Sequence, residues 1–372
     1  MMCNEKIKHM SKKRIAIIYT HLPHYRVPVF KALMESECFE YDFFYDPRGV
    51  DSTILSGSLG KGAYPITTIK IGPLIFQPAI LRLAFFSTFD AFILLGNPYI
   101  ITNWFGALIL KMRKKKVLLW THGWIRSNEG AKGVARLIFY KLADVLLLYG
   151  ERARDIALNK GVSERNIHVI YNSLDYASQK KIRDKLDASM QRGRFFLFVG
   201  RLTKEVRLDI ALNALVILKL KRVDAKMIIV GDGEEQVSLK QLAQDLQLDV
   251  EFSPAIYDEV ALASLFLKAT AVVSPGKVGL LAVHALAYGA PVITTGNFEQ
   301  QMPEAEAIID GTTGSLCKEL SPDSFAVAMR EWLSLAKVKA AKKIAIATIE
   351  RSYTPEHQRD CIEKALFNFF RG

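Results

Sequence analysis

Cysteine is scarce: Cys3, Cys38, Cys317 and Cys361 are the four in 372 residues, far apart, with no CxxC pair and no metal-type spacing. That argues against a disulfide scaffold or a cysteine-bound zinc and suits idle or buried thiols in a reducing compartment. Long clean apolar runs are also missing. The most lipophilic stretch, 71–96, is broken by Pro73, Pro78, Arg82 and Asp90, short of the ~20 apolar residues a spanning helix needs. The N-terminal MMCNEKIKHMSKKR is polar and basic, and the apolar run after it is too short for a secretion signal. A cytoplasmic chain, at most loosely attached to the inner face of the plasma membrane, is expected. There are no repeats, no low-complexity segments, and no helix-turn-helix, zinc or aromatic RNA-binding signature, so no nucleic-acid partner is expected.

What the chain has in surplus is positive charge: 50 Lys and Arg against 38 Asp and Glu, a formal net charge of +12. This favours an anionic partner such as a phosphorylated substrate or an acidic membrane face. The run KMRKKK at 111–116 lies near the apolar segment 71–89. It reads as a solvated face, or as loose docking on an anionic membrane surface.

Short apolar runs recur, each followed by a turn and a helical pattern, which signals parallel sheets covered by helices. RIAIIYT (14–20), DAFILLG (90–96), KVLLWTH (116–122), ADVLLLYG (143–150) and NIHVIYN (166–172) make a first series. A polar connector, 174–194, follows and ends near Gly193. A second series is FFLFVG (195–200), KMIIVG (226–231), VEFSP (250–254), ATAVVSP (269–275) and PVITT (291–295). Two α/β series imply two Rossmann-like domains facing across a cleft. The first is expected over 1–183, with the helix from about 355 to 372 packing back on it; the second spans 184–354.

Three strand ends of the second series carry glycine. Ligands of open α/β sheets bind at the carboxyl ends of strands, and a helix N-terminus there offers N–H groups to a phosphate. Gly200 ends one strand, with Arg201 a permanent cation at the turn and Lys204 and Arg207 beyond it. Gly231-Asp232-Gly233 ends a second. The third is a compact βαβ unit, AVVSPGKVGLLAVHALAYGAPVITT (271–295), turning through Gly276 and Gly279. There the N–H groups of Gly279, Leu280 and Leu281 open a helix that carries His284.

VGRL (199–202), VGDG (230–233) and GLLAVHALAYGAPVI (279–293), in that order, resemble the donor domain of the family-four retaining glycosyltransferases of GT-B fold. The likeness extends back to GERARDIALNKGVSERNIHVIYNSLD (150–175) and forward to NFEQQMPEAEAIIDGTTGSL (297–316), covering roughly residues 14 to 350. The N-terminal HLPHYRVPVF (21–30) is similar to members that build surface polysaccharides. The resemblance implies a nucleotide-sugar donor on the second domain and transfer with retention to a glycan or lipid-linked acceptor on the first. No cofactor is expected, and no metal, because protein cations and N–H groups would take the charge and no DxD-type cluster is visible. The resemblance places His122, at the end of the strand KVLLWTH, near the transferring sugar as the catalytic candidate. His24 and Arg26 are acceptor-side candidates.

The chain departs from the family at three positions. Two glutamates eight apart, one toward the donor sugar and one toward the ribose, are replaced by Gly276 and His284. The diphosphate-binding lysine is replaced by Val206. His284 offers a donor and an acceptor to a ribose hydroxyl, or is a satisfied core histidine. Lys277 or the loop backbone is left to approach the sugar, and Lys204 and Arg207 to replace the lost cation. The alternative function is a non-catalytic relative that binds sugar nucleotides or a partner protein.

Overall fold

The computed structural model describes residues 12–49, 56–60, 62–127, 130–186 and 193–370. Cys3 and most of the basic N-terminal stretch lie outside them, as does part of the polar connector. The chain divides into two compact units, 1–174 with 355–372, and 175–354.

In the first unit the strands are β1 (Lys13–Ile18), β2 (Phe39–Tyr45), β3 (Ala63–Pro65), a hairpin of β4 (Ile69–Ile71) and β5 (Leu74–Phe76), β6 (Ala91–Leu95), β7 (Lys116–Thr121), β8 (Val145–Leu148) and β9 (Ile167–Val169). Apart from the antiparallel hairpin they form one parallel sheet in the order β3-β2-β1-β6-β7-β8-β9. Its helices are α1 (Val27–Met34), α2 (Pro78–Phe86), α3 (Ile101–Met112), α4 (Gly130–Tyr140) and α5 (Glu151–Asn159). Both faces of the sheet are covered, so its central strands β6, β7 and β8 read as apolar runs. Ile15 and Ile17 join a core with Phe43 and Trp120, whereas Ala16 and Ile18 join another with Phe92 and Leu119.

The second unit holds α6 (Tyr176–Leu186), β10 (Phe195–Val199), α7 (Leu208–Leu220), β11 (Lys226–Val230), α8 (Gln236–Asp245), β12 (Val250–Ser253), α9 (Glu259–Lys268) and β13 (Ala271–Val273). It continues with α10 (Leu280–Ala287), β14 (Val292–Thr295), β15 (Gly314–Cys317), α11 (Pro322–Trp332) and α12 (Leu335–Ser352). Its parallel sheet runs β12-β11-β10-β13-β14-β15, so strand order reverses between β10 and β13. The last helix, α13 (Pro355–Phe370), belongs to the first unit, where Ile362, Ala365 and Leu366 enter the core and the Phe367 ring lies 4.9 Å from Phe39.

The units part at Leu174, nine residues before the boundary expected from the polar connector (183 − 174). That connector begins as α6, which is anchored in the second unit by polar contacts rather than by an apolar run. Arg183, buried, donates to the Ala287 carbonyl at 2.7 Å, and the Tyr176 hydroxyl meets Glu350 at 2.7 Å. Cys38 and Cys317 are buried, and burial pushes the Cys317 and Cys361 thiols up to about 11. Among the described residues no helix is long and apolar enough to cross a membrane.

Candidate functional site

The strand-order reversal between β10 and β13 leaves a crevice at the carboxyl ends of those strands, where open α/β sheets take their ligands. The loops after β10, β11 and β13 are laid against one another there, backbone on backbone. A methyl carbon built on Gly231 would stand 1.9 Å from the Gly200 carbonyl oxygen, one on Gly233 2.3 Å from the Leu202 oxygen, and one on Gly276 1.9 Å from the Glu205 oxygen. These glycines answer first to the neighbouring loop. Hydrogen bonds close the same seams: Leu202 N–H to Asp232 O at 2.9 Å, Gly276 N–H to Val206 O at 2.7 Å, and Lys277 N–H to Glu205 O at 3.0 Å.

Gly279 is different. A methyl carbon there would find only the Met302 Cγ, at 3.9 Å, but its φ of 52° and ψ of −145° are open to glycine alone. It turns the chain into α10, whose N-terminus, at Leu280 and Leu281, has no side-chain cap. The turn is held from beneath by Gln301, 2% exposed, a residue the motifs do not single out. Its amide nitrogen donates to Gly276 O at 2.8 Å and to the Thr294 hydroxyl, and its oxygen accepts from Val278 N–H at 3.1 Å.

Arg201, at the end of β10, and Lys204 are exposed. Arg207, exposed as well, has a left-handed backbone just ahead of α7, and its guanidinium fork grips Asp209 in the first turn of that helix at 3.0 and 2.9 Å. Lys204 and Arg207 line one cavity of about 360 Å³ with Asp209 and Glu235. Val206, where the family has its lysine, turns inward and is part of the core.

The two positions that lack the family's glutamates each meet a glutamate from another segment. Glu205 crowds Gly276 with its carbonyl, and its carboxylate pairs with Lys277 at 3.4 Å, both side chains well exposed. His284 Nε2 lies 2.9 Å from a Glu259 carboxylate oxygen of α9, which also accepts from the Tyr288 hydroxyl at 2.6 Å. Burial alone would raise the Glu259 carboxyl, but the hydrogen bonds from His284 and Tyr288 outweigh it and hold it below the ordinary value. The His284 ring packs 4.6 Å from Phe266. One of its nitrogens is thus engaged within the protein, a pairing across 25 residues that no local motif announces.

In the first unit, His122 stands exposed at the end of β7, its ring 4.7 Å from Tyr149. The turn beneath it is braced by the Thr121 hydroxyl, which donates to Gly96 O at 3.0 Å and lies 2.8 Å from the Tyr140 hydroxyl. A cavity of about 300 Å³ is bounded by His122, Asn97, Trp120, Arg136, Tyr140 and Tyr149 among others. Arg26, the other acceptor-side candidate, is buried. It is 5% exposed, donates to the Tyr149 hydroxyl, and lies 5.6 Å from the Trp120 ring. It therefore fixes Tyr149, which flanks His122. His24 stays exposed in the 3-10 turn before α1.

Two parallel-sheet α/β units with this strand order make up the GT-B fold, and solved GT-B structures match almost end to end. The lipopolysaccharide outer core galactosyltransferase WaaB, in its apo form, superposes with a TM-score of 0.71 at 18% identity, covering 95% of this chain and 99% of its own. HepE of Anabaena, solved with UDP-glucose, gives 0.66 at 16%, covering 95% and 99%. Residues 178–351, nearly the whole second unit, match the family described as glycosyl transferases group 1.

Among curated relatives, an uncharacterized 41.2 kDa protein in the cps region of Klebsiella pneumoniae is 26% identical over 235 residues, 59% of this chain and 62% of its own. A GDP-mannose-dependent phosphatidylinositol dimannoside mannosyltransferase of Mycobacterium tuberculosis is 31% identical over 138 residues, 36% of this chain and 34% of its own. The chain thus spans about three fifths of the first relative and one third of the second.

Proposed function

We propose that the chain transfers a sugar, with retention at the anomeric carbon, from a nucleoside-diphosphate sugar to a glycan or lipid-linked glycan in surface polysaccharide synthesis. The observation that carries this reading is the bed at the β10–β13 reversal: closely stacked loop backbones, an uncapped α10 N-terminus and the exposed Arg201 and Lys204. N–H groups and fixed cations aimed at a departing diphosphate stabilise its charge without reorganisation. In this reading no metal is needed, and the reaction proceeds unchanged in EDTA. His122 is the catalytic group of the first unit, held by Tyr149 and the braced β7 turn.

The replaced glutamates fit the same reading. No side chain has room at Gly276, so Glu205 and Lys277 supply the polar groups beside that turn, and His284 with Glu259 supplies them one turn into α10. HepE is solved with UDP and with UDP-glucose, and the mycobacterial mannosyltransferase is GDP-mannose-dependent, which supports a nucleotide-sugar donor without choosing its base.

The test is a thermal-shift and hydrolysis screen over nucleotide sugars and free nucleoside diphosphates. A selective upward shift with slow donor hydrolysis is expected. A shift with no hydrolysis or transfer would instead support the non-catalytic relative, a reading favoured by the inward-turned Val206. No shift from the folded protein would defeat both.

A further inference from the structure

We propose that α2, α3 and the β4–β5 hairpin of the first unit form a face that docks on an anionic lipid bilayer. Phe105, Leu108 and Met112 recur at i, i+3 and i+7 on α3, making a stripe along one side of the helix, and all three are exposed. The opposite side of α3 is buried through Asn103, Gly106, Ala107 and Leu110. Exposure reaches 80% at Phe86 and 74% at Met112, with Phe85, Ile71 and Leu74 also open. Single exposed apolar residues are ordinary, but a set of them on adjoining elements marks an interaction surface.

The elements are tied into one face. A methyl carbon on Gly106 would lie 2.6 Å from the Ile80 Cγ2, so α3 lies close on α2. Arg113 donates to the Ala84 and Ser87 carbonyls at 2.7 and 3.1 Å, which fixes Phe85 and Phe86 beside the basic end of α3. Ile75 N–H donates to Tyr99 O at 2.8 Å, joining the hairpin to the start of that helix.

Charge selects the occupant. Residues 56–89 and 91–127 contain no Asp or Glu, and the cations among them include Lys70, Arg82, Lys111, Arg113, Lys114 and Lys115. Lys111 and Lys114 are exposed next to Met112. Aromatic and aliphatic side chains among lysines, with no acid of their own, suit insertion at an interface of anionic headgroups. A second copy of the same face would oppose cation to cation. The proposal is independent of the reaction assigned above.

Co-sedimentation of the full chain with vesicles tests it, using phosphatidylcholine alone and phosphatidylcholine mixed with phosphatidylglycerol. Binding to the mixed vesicles, weakened by salt, is expected. The double variant Phe85→Ser/Phe86→Ser should lose about tenfold in affinity. The triple variant Lys111→Glu/Lys114→Glu/Lys115→Glu should lose the preference for anionic vesicles. Leu220→Ser/Val237→Ser, altering exposed apolar residues of the second unit, should bind as the parent does. Because all the altered residues except Lys115 are exposed, thermal denaturation should stay close to that of the parent. The absence of vesicle binding, equal binding by the Phe and Lys variants, or a dimer that those variants dissolve would overturn the proposal.

Discussion

Gly276→Ala is the sharpest probe of the stacked loops. The new methyl carbon would start 1.9 Å from the Glu205 oxygen, with the Glu205 and Val206 carbonyl carbons 3.0 and 3.1 Å away. A tolerable carbon–oxygen contact is about 3.3 Å or more, so the two loops must part by about 1.4 Å. The bonds from Gly276 N–H to Val206 O, at 2.7 Å, and from Lys277 N–H to Glu205 O, at 3.0 Å, cannot both survive that separation. Two lost bonds cost about 1 kcal/mol each, and forcing extra volume into a packed site adds about 1–3 kcal/mol. A loss of about 3–5 kcal/mol follows for the second unit, or about 10 °C in its thermal midpoint. Calorimetry reads the midpoint, and titration with nucleoside diphosphate reads the site. Gly279→Ala in the same turn has space and bears only backbone strain, about 1–3 kcal/mol. If Gly276→Ala lies within 1 kcal/mol of the parent, the loops are not held against each other as described.

Gln301→Ala removes the buried donor to Gly276 O and the acceptor of Val278 N–H, leaving the latter unpaired. It should cost about 2 kcal/mol by thermal denaturation and weaken nucleotide binding at the turn; an unchanged midpoint would show that the turn stands without it. Glu259→Gln tests the pairing with His284 through pH. Because the folded carboxyl sits below its ordinary value of 4.5, its stabilisation is fully present above that value and is lost as pH falls through the folded pKa. The parent's midpoint should therefore drop more steeply below about pH 4.5 than the variant's, and parallel curves from pH 3 to 7 would contradict the pairing.

Sequence reading reached the strands that are apolar through both faces, from β1 through β6–β9 in one series and β10–β14 in the other. It passed over β2, whose FEYDFFY interrupts the apolar run with acids; Asp42, buried there, is matched by Arg14 from the neighbouring strand β1, at 2.6 Å. It also passed over three-residue β3 and short β15. In the site, the glycine turns and the α10 start were legible because their signals are local. Glu205 against Gly276, Glu259 against His284 and Gln301 beneath the turn were not, since each meets its partner only after the sheet has formed. The burial of Arg26 was equally illegible, since the Tyr149 hydroxyl and the Trp120 and Tyr149 rings that keep it inside come from distant parts of the chain.

The three loops that meet at Gly231, Gly233 and Gly276 also constrain how such a chain can diversify. Positions whose missing Cβ is already occupied by a neighbour's carbonyl are closed to experiment by mutation, because any side chain there disturbs two loops at once. Descendants that take a different ligand must therefore write the change on the rim, at positions whose side chains reach solvent, such as Lys204 and Lys277, while the floor is inherited intact. A library confined to those rim positions should yield folded proteins far more often than one that includes the glycines.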